Sequence, residues 1–463
     1  MSKPKSFPYQ PYTYPLGWFI LFFLLLGYTT ATAQDRPSGG TWSLDECVKY
    51  ALKNNITIQQ NELQVQSVGN DLTQSKYSRY PTVNSSASQA ISWGLSINPV
   101  TNDAVNQRIN SNNFSVNASM NLFSGFETKN TIRRNETNYQ VNQLNLEQSR
   151  QTTSLNVALG YLNILLNKEL LAVAQKNVES TNAQLERTQK LYDAGAIAEN
   201  DVINLKATLA NNELNVTSAK NNLLTAKVSL QQTMNLAADE NFEVKAVDVD
   251  AFRVEDFAET SAQIYSTAES SQPNIKSADL NIKSNELAVE IARSDRYPTL
   301  TLNGSLYTNY SKISNISSDL QSPFGEQLGD NFGQQLSLNL RVPIFNAWQI
   351  KRSIANSVIN KRNSELIAKD SRNQLRQTIE QSWVNAKNAL QTYQAREEQV
   401  KSLELAFQTT EKRYNAGASN VVDFNLAKIN LDNAKSDLVR AKYDYLFRKK
   451  VLDFYMNKPL SIE

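Results

Sequence analysis

Leu191-Tyr192-Asp193-Ala194-Gly195-Ala196-Ile197-Ala198-Glu199-Asn200-Asp201-Val202 stands near the middle of the chain, and Arg413-Tyr414-Asn415-Ala416-Gly417-Ala418-Ser419-Asn420-Val421-Val422-Asp423-Phe424 near its end. Both copies hold a Tyr-x-Ala-Gly-Ala core and an Asp six residues beyond the Gly. Each separates two long runs of helical apolar spacing. Each therefore reads as the tight tip of a helical hairpin, over about 192–201 and 414–423. Glycine suits such a turn because a helix end commonly needs φ above zero, where a side chain is strained.

From Phe126 to Ala194 there is no proline and one glycine, Gly160. At about 1.5 Å per residue a helix over that span is on the order of 100 Å long. Leu155, Leu159, Leu162, Leu166, Leu170 and Val173 step by threes and fours, the spacing of a coiled-coil seam. A second helix is expected from Glu199 to Leu236. The later tip is likewise preceded by a helix from about Ala347 to Asn415, with Leu375, Ile379, Ala386, Leu390 and Tyr393 as its seam. It is followed by a last helix to about Tyr455.

Ahead of each long helix the period falls to two. Val83, Ala87, Ile91, Trp93, Leu95 and Ile97 alternate with Asn84, Ser86, Ser88, Ser92 and Ser96; Phe114, Val116, Ala118, Met120 and Leu122 alternate with Ser115, Asn117, Ser119 and Asn121. In the second half Leu300, Leu302 and Leu306 face one way, and Leu336, Leu338, Leu340 and Val342 stand against Ser337, Asn339 and Arg341. These are strands with one apolar and one polar face, expected at about 82–98, 112–123, 299–310 and 332–345.

Arg79-Tyr80-Pro81-Thr82 precedes the first strand pair and Arg296-Tyr297-Pro298-Thr299 the second, an offset of 217, whereas Gly195 and Gly417 differ by 222. The extra five residues belong in the loop joining the second pair of strands. Tyr80 and Tyr297 suit either a membrane interface or packing at the helix-to-strand bend. Upstream, Ser43 and Glu46 form a capping box for a helix running to about Arg79, where Tyr80-Pro81 stops it. The chain thus divides into a signal peptide over 1–33, a first repeat over 34–236, a connector over 237–257 and a second repeat over 258–463.

The signal peptide is read from Lys3 and Lys5, the apolar run Leu16 to Leu26, and Ala31-Thr32-Ala33 before Gln34. Cleavage is expected near Ala33, with no cysteine following to carry a lipid. With 47 basic and 45 acidic residues, the net charge of +2 carries no electrostatic footprint for nucleic acid. A mean hydropathy of −0.47 excludes a bundle of membrane helices but not a barrel with alternating faces. The chain has no histidine and one cysteine, Cys47, so Cys/His metal sites, catalytic dyads and triads lie beyond its inventory. No cofactor is implied, and no enzyme.

Four strands of roughly ten residues match the span of an outer membrane but cannot close a barrel, whose smallest natural forms have about eight. An open edge in lipid leaves backbone groups unsatisfied, so the barrel is expected to be shared, with three chains supplying twelve strands. A soluble sandwich and a surface coiled-coil stalk are the competing architectures.

Together with the opening Trp42-Ser43-Leu44-Asp45-Glu46 and Ala51-Leu52-Lys53-Asn54-Asn55, the paired junctions and tips resemble the TolC family of outer-membrane efflux proteins over essentially the whole mature chain. The resemblance implies a mainly α homotrimer with a shared twelve-stranded membrane β-barrel, continued by a long coiled-coil tunnel through the periplasm. It implies that Ala194, Gly195, Ala196, Ala416, Gly417 and Ala418 dock a periplasmic adaptor (membrane fusion) protein, and that Asp423, Tyr414 and Asp201 line the periplasmic entrance. An inner-membrane RND or ABC transporter would drive export, of small molecules in the one case and of polypeptides by type I secretion in the other. A non-transporting surface coiled coil is the alternative from another class. Some members carry an Arg two residues after the second Gly and a further Asp; this chain has Ser419 and Leu426 there. Three copies of Asp423 near an axis would attract cations, and the same residue also suits the first turn of the last helix.

Overall fold

The computed structural model describes residues 40–97, 103–239, 241–246, 257–314 and 322–459. The expected signal peptide and residues 240 and 247–256 of the expected connector lie outside them. After β1 (Thr41–Trp42), Ser43 and Glu46 form the capping box that opens α1 (Leu44–Asn54). The single helix expected as far as Arg79 is in fact two. Asn55 leaves the helical region (φ −65°, ψ 124°), and its side chain accepts hydrogen bonds from the N–H groups of Thr57 and Ile58, starting α2 (Ile56–Tyr77). A one-residue break barely disturbs the apolar phase, which is why periodicity passes over it.

β2 (Thr82–Ile97) and β3 (Ala104–Ser124) then form a hairpin. They are followed by α3 (Glu127–Asp193, 67 residues) and α4 (Glu199–Met234). β4 (Glu243–Val244) pairs in parallel with β1. The second half begins with another capping box, Thr260 with Gln263, opening α5 (Ser261–Ser271). It breaks at Gln272 and restarts with Pro273 at the head of α6 (Pro273–Ser294). Thr260 and Gln272 stand 217 residues after Ser43 and Asn55, the offset of the Arg-Tyr-Pro-Thr pair. β5 (Thr299–Ile313), the short α7 (Phe324–Asp330) and β6 (Gly333–Arg341) precede α8 (Gln349–Asn415, again 67 residues) and α9 (Val421–Tyr455).

β2, β3, β5 and β6 make one antiparallel four-stranded sheet in that order. β3 begins earlier than its alternation suggests, because backbone pairing with β2 continues to Ile97 opposite Ala104. Its far end carries a bulge: Asn121 pairs with Thr301 and Phe123 with Leu300, leaving out Leu122, which simple alternation had placed in the apolar row. β6 is shorter than expected because its partner β5 starts at Thr299, opposite Arg341, so Val342 onward has no neighbour within the chain. The polar row is stitched across strands. Ser86 Oγ and Ser115 Oγ are 2.8 Å apart, Ser119 Oγ donates to Asn303 Oδ1 at 2.8 Å, and Thr301 Oγ1 donates to Asn121 Oδ1 at 3.2 Å. On the other face Val83, Trp93, Leu338 and Leu340 are well exposed.

α3 pairs with α4 and α8 with α9; α6 lies against both α3 and α8, and α9 also packs on α3. Because α3 has neighbours on several sides, its buried residues do not form one seam. Val157, Tyr161, Ile164 and Leu165 are buried beside Leu162, while Leu155, Leu159, Leu166, Leu170 and Val173 are only partly covered. Gly160 admits α4 closely, since a Cβ there would lie 3.2 Å from Leu230 Cδ1. In α8 the seam at Leu375, Ile379, Ala386 and Leu390 is buried as its spacing predicts.

Tyr161 anchors the core where β1 and β4 meet, its buried hydroxyl donating to the carbonyls of Lys245 (2.8 Å) and Trp42 (3.2 Å). At the same place Glu243 takes ion pairs from Lys168 and Lys227, both at 2.5 Å. Burial works to raise the Glu243 carboxyl, but the hydrogen bonds and charges of the two lysines outweigh it and hold the group below its ordinary value of 4.5. A carboxylate with a depressed folded-state pKa contributes stability above its unfolded pKa and loses it as pH falls through the folded one. Glu243→Gln should therefore lower the melting temperature at pH 7. The gap between variant and parent should narrow as pH falls below the ordinary value of 4.5, as read by circular dichroism melts across that range.

Candidate periplasmic entrance and inter-hairpin groove

The two tips share one backbone. Gly195 has φ +74° and Gly417 φ +73°. The Gly195 N–H donates to Tyr192 O at 2.8 Å and the Ala196 N–H to Leu191 O at 2.9 Å. The matching bonds from Gly417 to Tyr414 O and from Ala418 to Arg413 O are 3.0 and 2.8 Å. The bonds from Ala196 and Ala418, each reaching back five residues, span the last helical turn in the manner of a Schellman cap. A Cβ on either glycine would meet nothing within 4 Å, so the left-handed conformation, not crowding, calls for glycine. Ala194, Ala196, Ala416 and Ala418 are exposed beside them, giving the crest of both tips small side chains.

Beyond the turns the copies diverge. Asn420 caps α9 by accepting from the Asp423 N–H at 2.8 Å, whereas Ala198 before α4 offers no side-chain cap. Asp423 is exposed in the first turn of α9, and Asp201 is half-buried in the first turn of α4, its N–H donating to Ala198 O. Tyr414 is half-buried and stacks on Phe424, with ring centroids 4.9 Å apart and planes 28° apart; Phe407 stands 5.5 Å from the same ring. Val202 holds the place of Phe424 in the first tip, so only the second is clamped by aromatic rings.

Between the first hairpin and α9 runs a groove of about 630 Å³. Asn177 of α3 and Asn211, Asn215 and Asn222 of α4 line one side, Lys428 and Asp432 of α9 the other. Lys428 Nζ lies 2.9 Å from Asp432 Oδ2, and the lysine is buried. Asn425 Oδ1 is buried without a protein partner, which suits a hydrated groove. Motif reading passed over this groove, although asparagines spaced by four and seven along α4 announce a polar stripe.

At the other end of the helices, Tyr297 leans on Gly125, where a Cβ would come within 2.7 Å of Tyr297 Cβ, and Tyr77 and Tyr80 lie with rings 5.8 Å apart. Pro81 and Pro298 each separate a helix end from the first residue of a strand. Cys47 is fully buried, and that burial pushes its thiol up to about 12, leaving it unreactive.

A strand sheet with one apolar exposed face, continued by paired 67-residue helices that turn back at glycine tips, is the protomer fold of an outer-membrane channel with a helical tunnel. Solved structures share it. The CmeC outer membrane channel of Campylobacter jejuni superposes with a TM-score of 0.75 at 20% identity, covering 91% of this chain and 87% of that one. The open state of the MtrE channel of Neisseria gonorrhoeae superposes with a TM-score of 0.72 at 16% identity, covering 90% and 89%. Residues 47–236 and 264–457 match the family model for outer membrane efflux proteins, and the chain belongs to that family. Among curated relatives, outer membrane protein TolC of Escherichia coli (strain K12) is 25% identical over 311 residues, 67% of this chain and 62% of that protein's length. The outer membrane efflux protein BepC of Brucella suis is 21% identical over 323 residues, 70% and 67% of the two chains.

Forcing a β-branched side chain into the left-handed turn costs at least the ~1–2 kcal/mol of an ordinary residue there. Gly417→Val should therefore speed amide exchange across residues 412–424 while leaving exchange in the sheet unchanged, as hydrogen-exchange mass spectrometry would read.

Proposed function

We propose that three copies close into a passive outer-membrane duct that exports small molecules handed to it by an inner-membrane pump through a periplasmic adaptor. The observation that carries the reading is the sheet itself. Its apolar face stands exposed and both edge strands, β2 and β6, have a single partner, which in lipid is tolerable only if further strands complete a ring. Four strands per copy make twelve in a trimer. The polar row of serines and asparagines then lines a water-filled lumen.

The helices favour the same closure. α6 packs extensively on both α3 and α8, while α2, its counterpart, among the described residues packs extensively on α3 but not on α8. α9 packs on α3, yet α4 has no comparable packing on α8 of its own chain. A neighbouring copy supplies both missing partners.

The two repeats, 34–236 and 258–463, thus form successive sectors of one tube, with a signal peptide over 1–33 removed on export and the mature chain in the outer membrane. The tips at 192–201 and 414–423 are its periplasmic entrance. Gly195, Gly417 and their flanking alanines present the adaptor surface. Asp423 and Asp201 supply charge there, and Tyr414 braces the turn through Phe424. Opening is a relative movement of hairpins, for which the hydrated groove beside α9 leaves room. An RND-type partner fits small-molecule efflux.

Purified protein should have the native mass of a trimer and conduct ions in planar bilayers; a monomer that conducts nothing would point instead to a surface coiled coil. Asp423→Ala should raise conductance or weaken cation selectivity, and unchanged values would remove this residue from the entrance. Replacing Gly195 or Gly417 by valine should abolish efflux in cells while trimers persist in the membrane. Full efflux would reject the tips as the docking surface.

A further inference from the structure

The four strands of the large sheet carry three charged side chains, all basic: Arg108 on β3, Lys312 on β5 and Arg341 on β6. Arg341 ends β6 beside the helices, whereas Arg108 and Lys312 lie together at the opposite end of the sheet. Lys312 stands opposite Asn110, and Ser314, two residues beyond it, donates its N–H to Arg108 O at 2.9 Å. The two cations are therefore diagonal neighbours on adjacent strands.

Alternation sets their face. Arg108 is an even number of residues from Phe114, and Lys312 from Leu306, so both stand on the apolar side, the one turned to lipid in a closed barrel. A tilted strand crosses hydrocarbon in about 9–11 residues. From Ser124, where β3 meets the helices, to Phe114 is such a length. Arg108 falls six residues past Phe114, and Lys312 four past Thr308, which pairs with Phe114; both reach the headgroup layer of the outer leaflet. Aromatic rings mark the same level. The Arg108 guanidinium lies 5.9 Å over the ring of Trp93, and Tyr310 stands 4.9 Å from Phe324.

We propose that Arg108 and Lys312 form a binding site for the phosphate of a negatively charged outer-leaflet lipid, whose apolar part packs beside Trp93. The inference rests on the reading of the sheet as a membrane wall with the β2–β3 hairpin turned outward.

Charge complementarity carries the choice of occupant. Two cations this close repel one another, and among the described residues neither has a carboxylate partner. A phosphate between them removes the repulsion, taking the forked N–H groups of the arginine and the ammonium of the lysine. Asn110 stands between the two. Its Oδ1 accepts from Gln89 Nε2 at 3.4 Å, which leaves its own N–H groups as further donors. Trp93 and Leu95, 72% and 77% exposed, give the cations an apolar flank that suits a lipid and offers nothing to a free ion. The opposite face at this level carries Ser111, Asn309 and Ser311, without charge, so the pair is no part of the lumen.

Native mass spectrometry of the full chain in detergent, titrated with lipid A or with lipid A stripped of its phosphates, tests the site. The parent should bind the phosphorylated lipid more tightly than the stripped one. Arg108→Gln combined with Lys312→Gln should weaken lipid A binding at least about tenfold. Arg341→Gln, which removes a charge elsewhere on the sheet, should leave it unchanged. Inorganic phosphate in large excess should not displace the lipid. Equal binding of the two lipids, equal binding by parent and double variant, an equal loss in Arg341→Gln, or displacement by inorganic phosphate would each overturn the proposal. Should the double variant fail to assemble, the comparison of lipids on the parent still decides. Oligomer mass and bilayer conductance are read on the same samples. A conducting trimer that does not discriminate the lipids overturns the site and leaves the duct; a monomer without conductance overturns both.

Discussion

An unpaired β-edge cannot be left in lipid, and the rest of this molecule depends on that constraint. Backbone N–H and C=O groups without water or strand partners cost several kcal/mol each in hydrocarbon, so a membrane sheet is either closed or absent. Among the described residues this sheet has four strands, with apolar side chains exposed on one face and serines and asparagines bonded across the other. Such a sheet has no stable existence alone in a membrane. The proposed closure with further copies meets that need and sets a central axis along which the long helices would continue.

The duplication makes that closure geometrically economical. A capping box, a break twelve residues later at Asn55 or Gln272, a tyrosine-proline junction, a left-handed helix start and a glycine tip recur in the same order in both halves. The contacts made between the halves, α9 on α3 and α6 on α3, have no counterpart of similar extent within the chain among the described residues. The halves also depart from one another: Phe424 and Tyr414 clamp one tip where Val202 stands in the other, and Ala347 stands where the first half has Gly125.

Much of this was legible in the residues. The hairpin tips follow from Gly195 and Gly417, because a left-handed residue ending a helix is written in one position. The 67-residue helices follow from the lack of proline, and the strand faces from a strict period of two. What escaped involved contacts rather than patterns. The break at Asn55 is a single cap within an unbroken apolar phase. The early start of β3 has weak alternation and is held by pairing with β2, and the bulge at Leu122 is a register choice made against β5. The α3 seam misled because the helix has several neighbours, so Tyr161 and Val157 are buried more deeply than most of the leucines that step regularly beside them. At the entrance the turn residues were visible, but the asparagine-lined groove beside α9 was overlooked as an ordinary solvated face.

The sequence by itself determined the elements, their duplication and their faces, because helix length, turn conformation and strand alternation are local properties of a few neighbouring residues. It also determined the absence of histidine chemistry. Only the tertiary structure decided which strand meets which and in what register, that Tyr161 bridges β1 and the residue after β4, and that Tyr414 stacks on Phe424 within its own tip. Those outcomes depend on residues distant in the chain finding one another, and distance along a chain carries no record of distance in space.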